Sequence, residues 1–149
     1  MIKTILTILF STVILYSQEV KVGSYLPFEY CKNQFEQSII VDKKTKMLII
    51  AFSQEKGELI NEFLQKNKNF LKKHKAYYLR DVSNVPTFVL SMFIKPKFKS
   101  YDYELGLICD EKNASLLPKK DDNITIIYLR KKKIRKILFK ENLDFLIKK

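Results

Sequence analysis

Cys31 and Cys109 are the only two thiols in this 149-residue sequence. Thiols at two distant positions admit a structural disulfide or thiol exchange. A disulfide closing so long a loop would contribute roughly 4 kcal/mol in the chain-entropy model. Cys109 sits in the apolar run E-L-G-L-I-C and Cys31 in P-F-E-Y-C-K, so a small buried residue at Cys109 and an unpaired leader thiol at Cys31 are the competing reading. A catalytic pair is disfavoured, because neither cysteine stands where a helix is expected to begin and lower a thiol pKa. The single histidine, His74 in K-K-H-K, has no second imidazole to share a metal with and is expected to sit at a helix C-terminus, where a cation is favoured. The basic run Arg130-Lys131-Lys132-Lys133, continued by Arg135 and Lys136, suits phosphate or an anionic surface. A solvated hairpin turn explains it equally well.

The stretch expected to position any site runs from Lys46 to Lys75. It opens with the unbroken apolar run Met47 to Phe52 and continues with Leu59, Ile60, Phe63, Leu64, Phe70 and Leu71, a buried strand feeding one amphipathic helix. Between them lies Ser53-Gln54-Glu55-Lys56-Gly57. A strand-to-helix junction is a common seat of chemistry in α/β proteins, since backbone N–H groups converge there. Glu55, Glu58 and Glu62 are read as capping and solvating residues, and no histidine is placed to activate Ser53.

Along the chain, Lys21 to Phe35 reads as a leader packed across the sheet, with short extended pieces at Phe28, Tyr30 and Ser38 to Val41. Ala76 to Val82 is a second core strand. Pro86 opens a short buried helix that Pro96 is expected to stop, and Tyr103 to Cys109 is a third strand. A short helical piece covers Glu111 to Leu117, Ile124–Leu129 and Ile134–Phe139 form an antiparallel hairpin, and Lys140 to Ile147 is a closing helix. This order describes an α/β protein with a mixed central sheet.

The amino terminus combines Lys3, an apolar run from Ile5 to Tyr16 and a small residue at Ser17. These features match a secretory signal over residues 1–17, with an uncleaved anchor as the alternative. Residues 18–149 are then one domain in the periplasm or outside the cell. The net charge of +12 comes from 28 Lys and Arg against 16 Asp and Glu. It favours anionic surroundings, and export argues against nucleic acid among them.

The leader V-G-S-Y-L-P-F-E-Y-C-K-N-Q-F-E, the strand M-L-I-I-A-F-S and the later E-L-G-L-I-C-D-E-K and I-T-I-I-Y-L-R-K-K-K-I-R-K-I-L-F resemble the thioredoxin-like superfamily, nearest its peroxiredoxin-like branch. The resemblance implies a three-layer sandwich of helices about a mixed sheet. It also implies where chemistry would be: C-x-x-C or a peroxidatic cysteine at the first helix start, and a cis-proline before the hairpin. Here Ser53 to Gly57 occupies the first place, and Asp121-Asp122-Asn123 precedes the hairpin, with Pro118 lying too early. The expectation is a redox-inactive accessory module that binds a protein or small ligand without cofactor or metal. The alternatives are a thiol enzyme using Cys31 or Cys109 and a peripheral binder of anionic membranes.

Overall fold

The computed structural model describes residues 20–28 and 30–148; the expected signal, residues 1–17, lies outside them. Seven strands form one mixed sheet in the order β2-β1-β5-β4-β3-β6-β7. Strand β3, Met47–Ala51, is central. It pairs parallel to β4, Ala76–Asp81, on one side and antiparallel to β6, Ile124–Arg130, on the other. All five β3 residues are buried, which is why the strand reads as an unbroken apolar run rather than an alternation. Its side chains alternate between faces. Met47, Ile49 and Ala51 join one core with Ile60, Phe63 and Leu64, whereas Leu48 and Ile50 join the other with Leu79, Ile127 and Ile134. Each fully buried Ile or Leu contributes about 1.5–3 kcal/mol, so β3 anchors both layers.

Helix α1, Gln54–Lys66, covers the first face. Ser53 caps it in extended conformation, its Oγ accepting the Lys56 N–H at 3.2 Å. One continuous helix to Lys75 was expected; the helix ends at Lys66 instead. The Asn67 side chain donates back to the Phe63 carbonyl at 2.8 Å, and Asn69 takes a left-handed φ of 66°. Asn satisfies a helix end and tolerates that conformation better than most residues. A short helix α2, Phe70–Lys73, then leads into β4, and His74 caps its C-terminus while stacking on Phe70 at 4.2 Å.

The segment after β4 differs most from expectation. Helix α3, Thr87–Val89, runs into a π-helical turn, Leu90–Ile94, and on into α4, Lys95–Lys99. Pro96 therefore does not stop the helix. It has no N–H to donate and its ring crowds the turn before it, and widening that turn lets the chain continue. Nor is the helix buried: Leu90 and Phe98 face the core, but Phe88, Met92 and Phe93 are exposed.

Strand β5, Leu105–Ile108, pairs parallel to β4. Beyond it the leader divides: Val20, Leu26 and Phe28 pack on the second face as expected, whereas the part after them extends the sheet as an antiparallel hairpin, β1 Tyr30–Asn33 and β2 Ser38–Ile40, with β1 on β5. Helix α5, Glu111–Leu116, sits on the second face, where Ala114, Leu116 and Leu117 pack. Strand β7, Lys133–Lys140, returns from β6 through Lys131-Lys132, both at positive φ, the geometry of a two-residue hairpin turn. Of the expected closing helix only a 3-10 turn, Asp144–Leu146, forms. Asn142 Oδ1 accepts the Asp144 N–H at 3.1 Å, a local bond that competes with helix formation, while Leu143 still closes the core.

Candidate functional site

The C-terminal ends of β3 and β4 and the start of α1 enclose a cleft of about 270 Å³. In parallel α/β sheets this end gathers ligands, because loops and helix starts converge there. Of the turn Ser53–Gly57 one residue reaches the cleft, and the others shape the helix start. Gln54 lines the cleft. Lys56 is buried, its Nζ donating to the Glu141 carbonyl at 3.2 Å and lying 3.6 Å from the Glu55 carboxylate. Gly57 lies under the Arg80 guanidinium, which also donates to the Ser53 carbonyl. Arg80 is thus folded onto the helix start from β4.

Opposite Arg80, Glu58 of α1 pairs with Lys97 of α4. That bond raises the Lys97 pKa above the usual lysine value and ties the two helices across the cleft. Apolar walls come from Phe52, Val85, Phe93, Ile94 and Phe98, and Asp81 and Asn84 complete the polar rim. Tyr78 stands behind Arg80; burial raises its phenol pKa, and the guanidinium opposes that rise. The result is an amphipathic slot with both charge signs at its mouth, large enough for one or two side chains and smaller than most cofactor sites. Among the residues lining the cleft, the sequence singled out Gln54 and Glu58 at the helix start. Arg80 had a signal: a polar R-D pair ending an otherwise apolar strand. Phe93 had none, since only the π turn aims it here.

The two cysteines line a different pocket, of about 240 Å³, with Phe28, Leu107, Ile108, Asp110 and Asn113. Both are free. Cys31 lies in β1 and Cys109 directly follows the neighbouring strand β5. Burial, and secondarily the neighbouring Cys109, pushes the Cys31 thiol up to about 12. Burial also raises Cys109, which is more exposed, although Lys95 opposes the shift. Neither thiol stands at the start of α1.

The basic run is divided. Arg130 to Lys133 forms the β6–β7 turn. Leu129 pairs with Ile134 and Tyr128 with Lys136, so Arg135 is the extra residue of a bulge and, with Lys136, lies along the strand away from the turn. Before β6, the Pro118 carbonyl accepts from the Thr125 hydroxyl at 2.8 Å.

No family model and no curated protein matches the sequence. Solved structures do. The thioredoxin domain of a thiol-disulfide oxidoreductase from Bacteroides vulgatus superposes with a TM-score of 0.56 at 17% identity, over 87% of this chain and 96% of that one. A peroxidoxin from Mycobacterium tuberculosis gives 0.55 at 12% identity, over 83% and 88% of the two chains. A peroxiredoxin-like protein from Aquifex aeolicus gives 0.50 at 14%, over 83% and 78%. At such identities likeness speaks for architecture, and function must be argued from the site. The seven-stranded mixed sheet, its two flanking layers and these superpositions together establish that the chain has the thioredoxin-like fold.

Proposed function

We propose that this protein is an exported binding module built on a thioredoxin-like fold, which holds a segment of a partner polypeptide in the cleft before α1 and carries out no thiol exchange there. One observation carries the reading. The helix start that would activate a thiol is occupied by Ser53-Gln54-Glu55-Lys56-Gly57, with Arg80 laid over it, while both thiols line another pocket. A thiolate is the nucleophile in disulfide exchange, and both thiols are shifted away from thiolate formation. The slot instead offers an apolar wall and a charged rim, which suits an apolar side chain carried on a polar backbone. The apolar run from Ile5 to Tyr16 supports export, whether that segment is removed near Ser17 or kept as an anchor.

Reduction of insulin disulfides and consumption of a hydroperoxide test the absence of thiol chemistry. Turnover no faster than that of free glutathione is expected; turnover abolished by Cys31→Ser or Cys109→Ser overturns the reading. Panning a displayed library of short peptides against the full chain tests the cleft. Enriched peptides should bind the parent and lose affinity for Phe93→Ala, and peptides indifferent to both Phe93→Ala and Arg80→Ala would show that the cleft is not the site.

A further inference from the structure

The positive charge that looks evenly spread in the sequence is gathered by the fold. Three separate segments meet where β3 and β4 begin and β6 ends. The Lys46 N–H donates to the Lys75 carbonyl at 2.8 Å, and the Leu129 N–H donates to the Lys46 carbonyl at 2.8 Å. Those two bonds place side by side the turn Asp42–Lys46, the α2 exit Lys72–Lys75 and the hairpin turn Arg130–Lys133. The three segments hold three lysines, three lysines and four cations respectively, against the single acid Asp42. The lysines of the first two are all exposed, as are Arg130 and Lys131. Among the described residues the ion pairs at Glu36, Glu55, Glu58 and Asp102 lie outside the turn Asp42–Lys46 and the exit Lys72–Lys75. The cleft, at the C-terminal ends of the same strands, is at the opposite end of the sheet.

A second observation fixes what such a pole would meet. The leader enters the fold at this end: Gly23 and Ser24 exchange backbone hydrogen bonds with Ile134, and Tyr25 bridges to Lys133. Val20 is buried in one cluster with Leu129 and Ile134, the residues flanking the basic turn. The described chain therefore starts beside the basic pole at Val20, and the apolar run Ile5–Tyr16 precedes that point in the sequence. An apolar segment in a bilayer and a polybasic face next to it are the two signals that together give firm attachment.

We propose that the pole formed by Asp42–Lys46, Lys72–Lys75 and Arg130–Lys133 is a docking face for the anionic phospholipid surface of the membrane into which the N-terminal segment inserts or across which it leads the chain. The cleft is then held facing away from the bilayer. This proposal does not rest on the cleft reading, because it uses the other end of the sheet and a different ligand chemistry. An RNA duplex or another soluble polyanion would meet the charge but has no use for the adjoining apolar segment.

Sedimentation of the full chain with phosphatidylcholine vesicles, with and without phosphatidylglycerol, tests the face. Because the apolar segment adds an equal contribution to both, the quantity read is the ratio of the two partition coefficients. That ratio should exceed tenfold at low salt and fall as ionic strength passes about 0.1 M, where the Debye length is about 10 Å. Each surface cation is worth roughly fivefold in partition, so Lys43→Glu/Lys44→Glu/Lys46→Glu should reduce the ratio at least a hundredfold or to unity. The same change at Lys112, Lys119 and Lys120, which lie outside the three segments, should leave most of it. Both triple variants must retain the parent's circular dichroism and unfolding midpoint. A ratio near unity for the parent, an equal loss in the two triple variants, or tighter binding to a short RNA duplex than to the anionic vesicles would overturn the proposal.

Discussion

Arg80 reaches from the end of β4 to lie over Gly57 in the first turns of α1, so that a β-carbon at residue 57 would stand 2.7 Å from its Cζ. The same guanidinium donates to the Ser53 carbonyl. Glycine inside a helix costs about 1 kcal/mol relative to alanine, and here the close approach of an arginine accounts for it. A double-mutant cycle tests that relationship. Arg80→Ala should destabilise by about 1 kcal/mol through the lost charged hydrogen bond. Gly57→Ala should be near neutral in the parent, where helix propensity is offset by displacement of Arg80, and stabilising by about 1 kcal/mol in the Arg80→Ala background. Urea unfolding of the four proteins measures the coupling, and strict additivity would contradict the contact.

Gln34 is fully buried, yet its side chain is matched. Its Nε2 donates to the Tyr103 carbonyl at 2.8 Å and to the Phe98 carbonyl at 3.4 Å, and its Oε1 accepts the Leu105 N–H at 3.1 Å. It joins the β1–β2 hairpin to β5 and to the end of α4. Gln34→Glu turns the donor toward two carbonyls into an acceptor, so a loss of about 3 kcal/mol is expected. Thermal unfolding should show it, and a shift no larger than that of an exposed Gln65→Glu control would contradict the assignment.

Alkaline pH should destabilise the protein more than its lysine content suggests. Burial raises the pKa of Cys31, to about 12, and those of Tyr78 and Tyr103. All three are neutral when protonated, and the unfolded chain releases these protons first, near the ordinary values of about 9 to 10. The stabilisation from keeping them neutral is therefore complete below about pH 9 and is lost as pH rises toward the folded values. Denaturant midpoints should fall steeply between about pH 9 and 12. Cys109, being the more exposed thiol, should be alkylated by iodoacetamide well before Cys31, and faster labelling of Cys31 near neutrality would contradict its burial.

Phe93 lines the cleft although it is 65% exposed. Its truncation removes little buried area, so Phe93→Ala should change stability by no more than about 0.5 kcal/mol. Any loss of peptide binding in that variant is then a loss of contact, which isothermal titration can separate from unfolding. Truncation of its core neighbour Phe98 should instead cost about 3–5 kcal/mol.

Several elements could be read from the residues because local pattern and burial agree. The run Met47 to Ala51 is apolar at every position since both its faces are covered, Ser53 is a capping residue before an amphipathic helix, and the two Ile-rich runs ahead of Lys140 match a hairpin. Other readings failed where a local signal was answered by a neighbour. Pro96 signals a stop, but a widened turn before it lets the helix run on to Lys99. The apolar stretch Thr87 to Ile94 looks buried, yet the π turn directs Met92 and Phe93 outward.

The sequence by itself determined the central strand, the helix start after it, the closing hairpin and the polar character of the turn at Ser53 to Gly57, because each depends on residues within a few positions of one another. Only the tertiary structure decided that Arg80 covers that turn, that Cys31 and Cys109 share a pocket, and that lysines from three distant segments form one pole. The physical reason is the same in each case. Hydrogen bonding between strands remote in sequence sets which side chains become neighbours, and composition and spacing carry no record of that pairing.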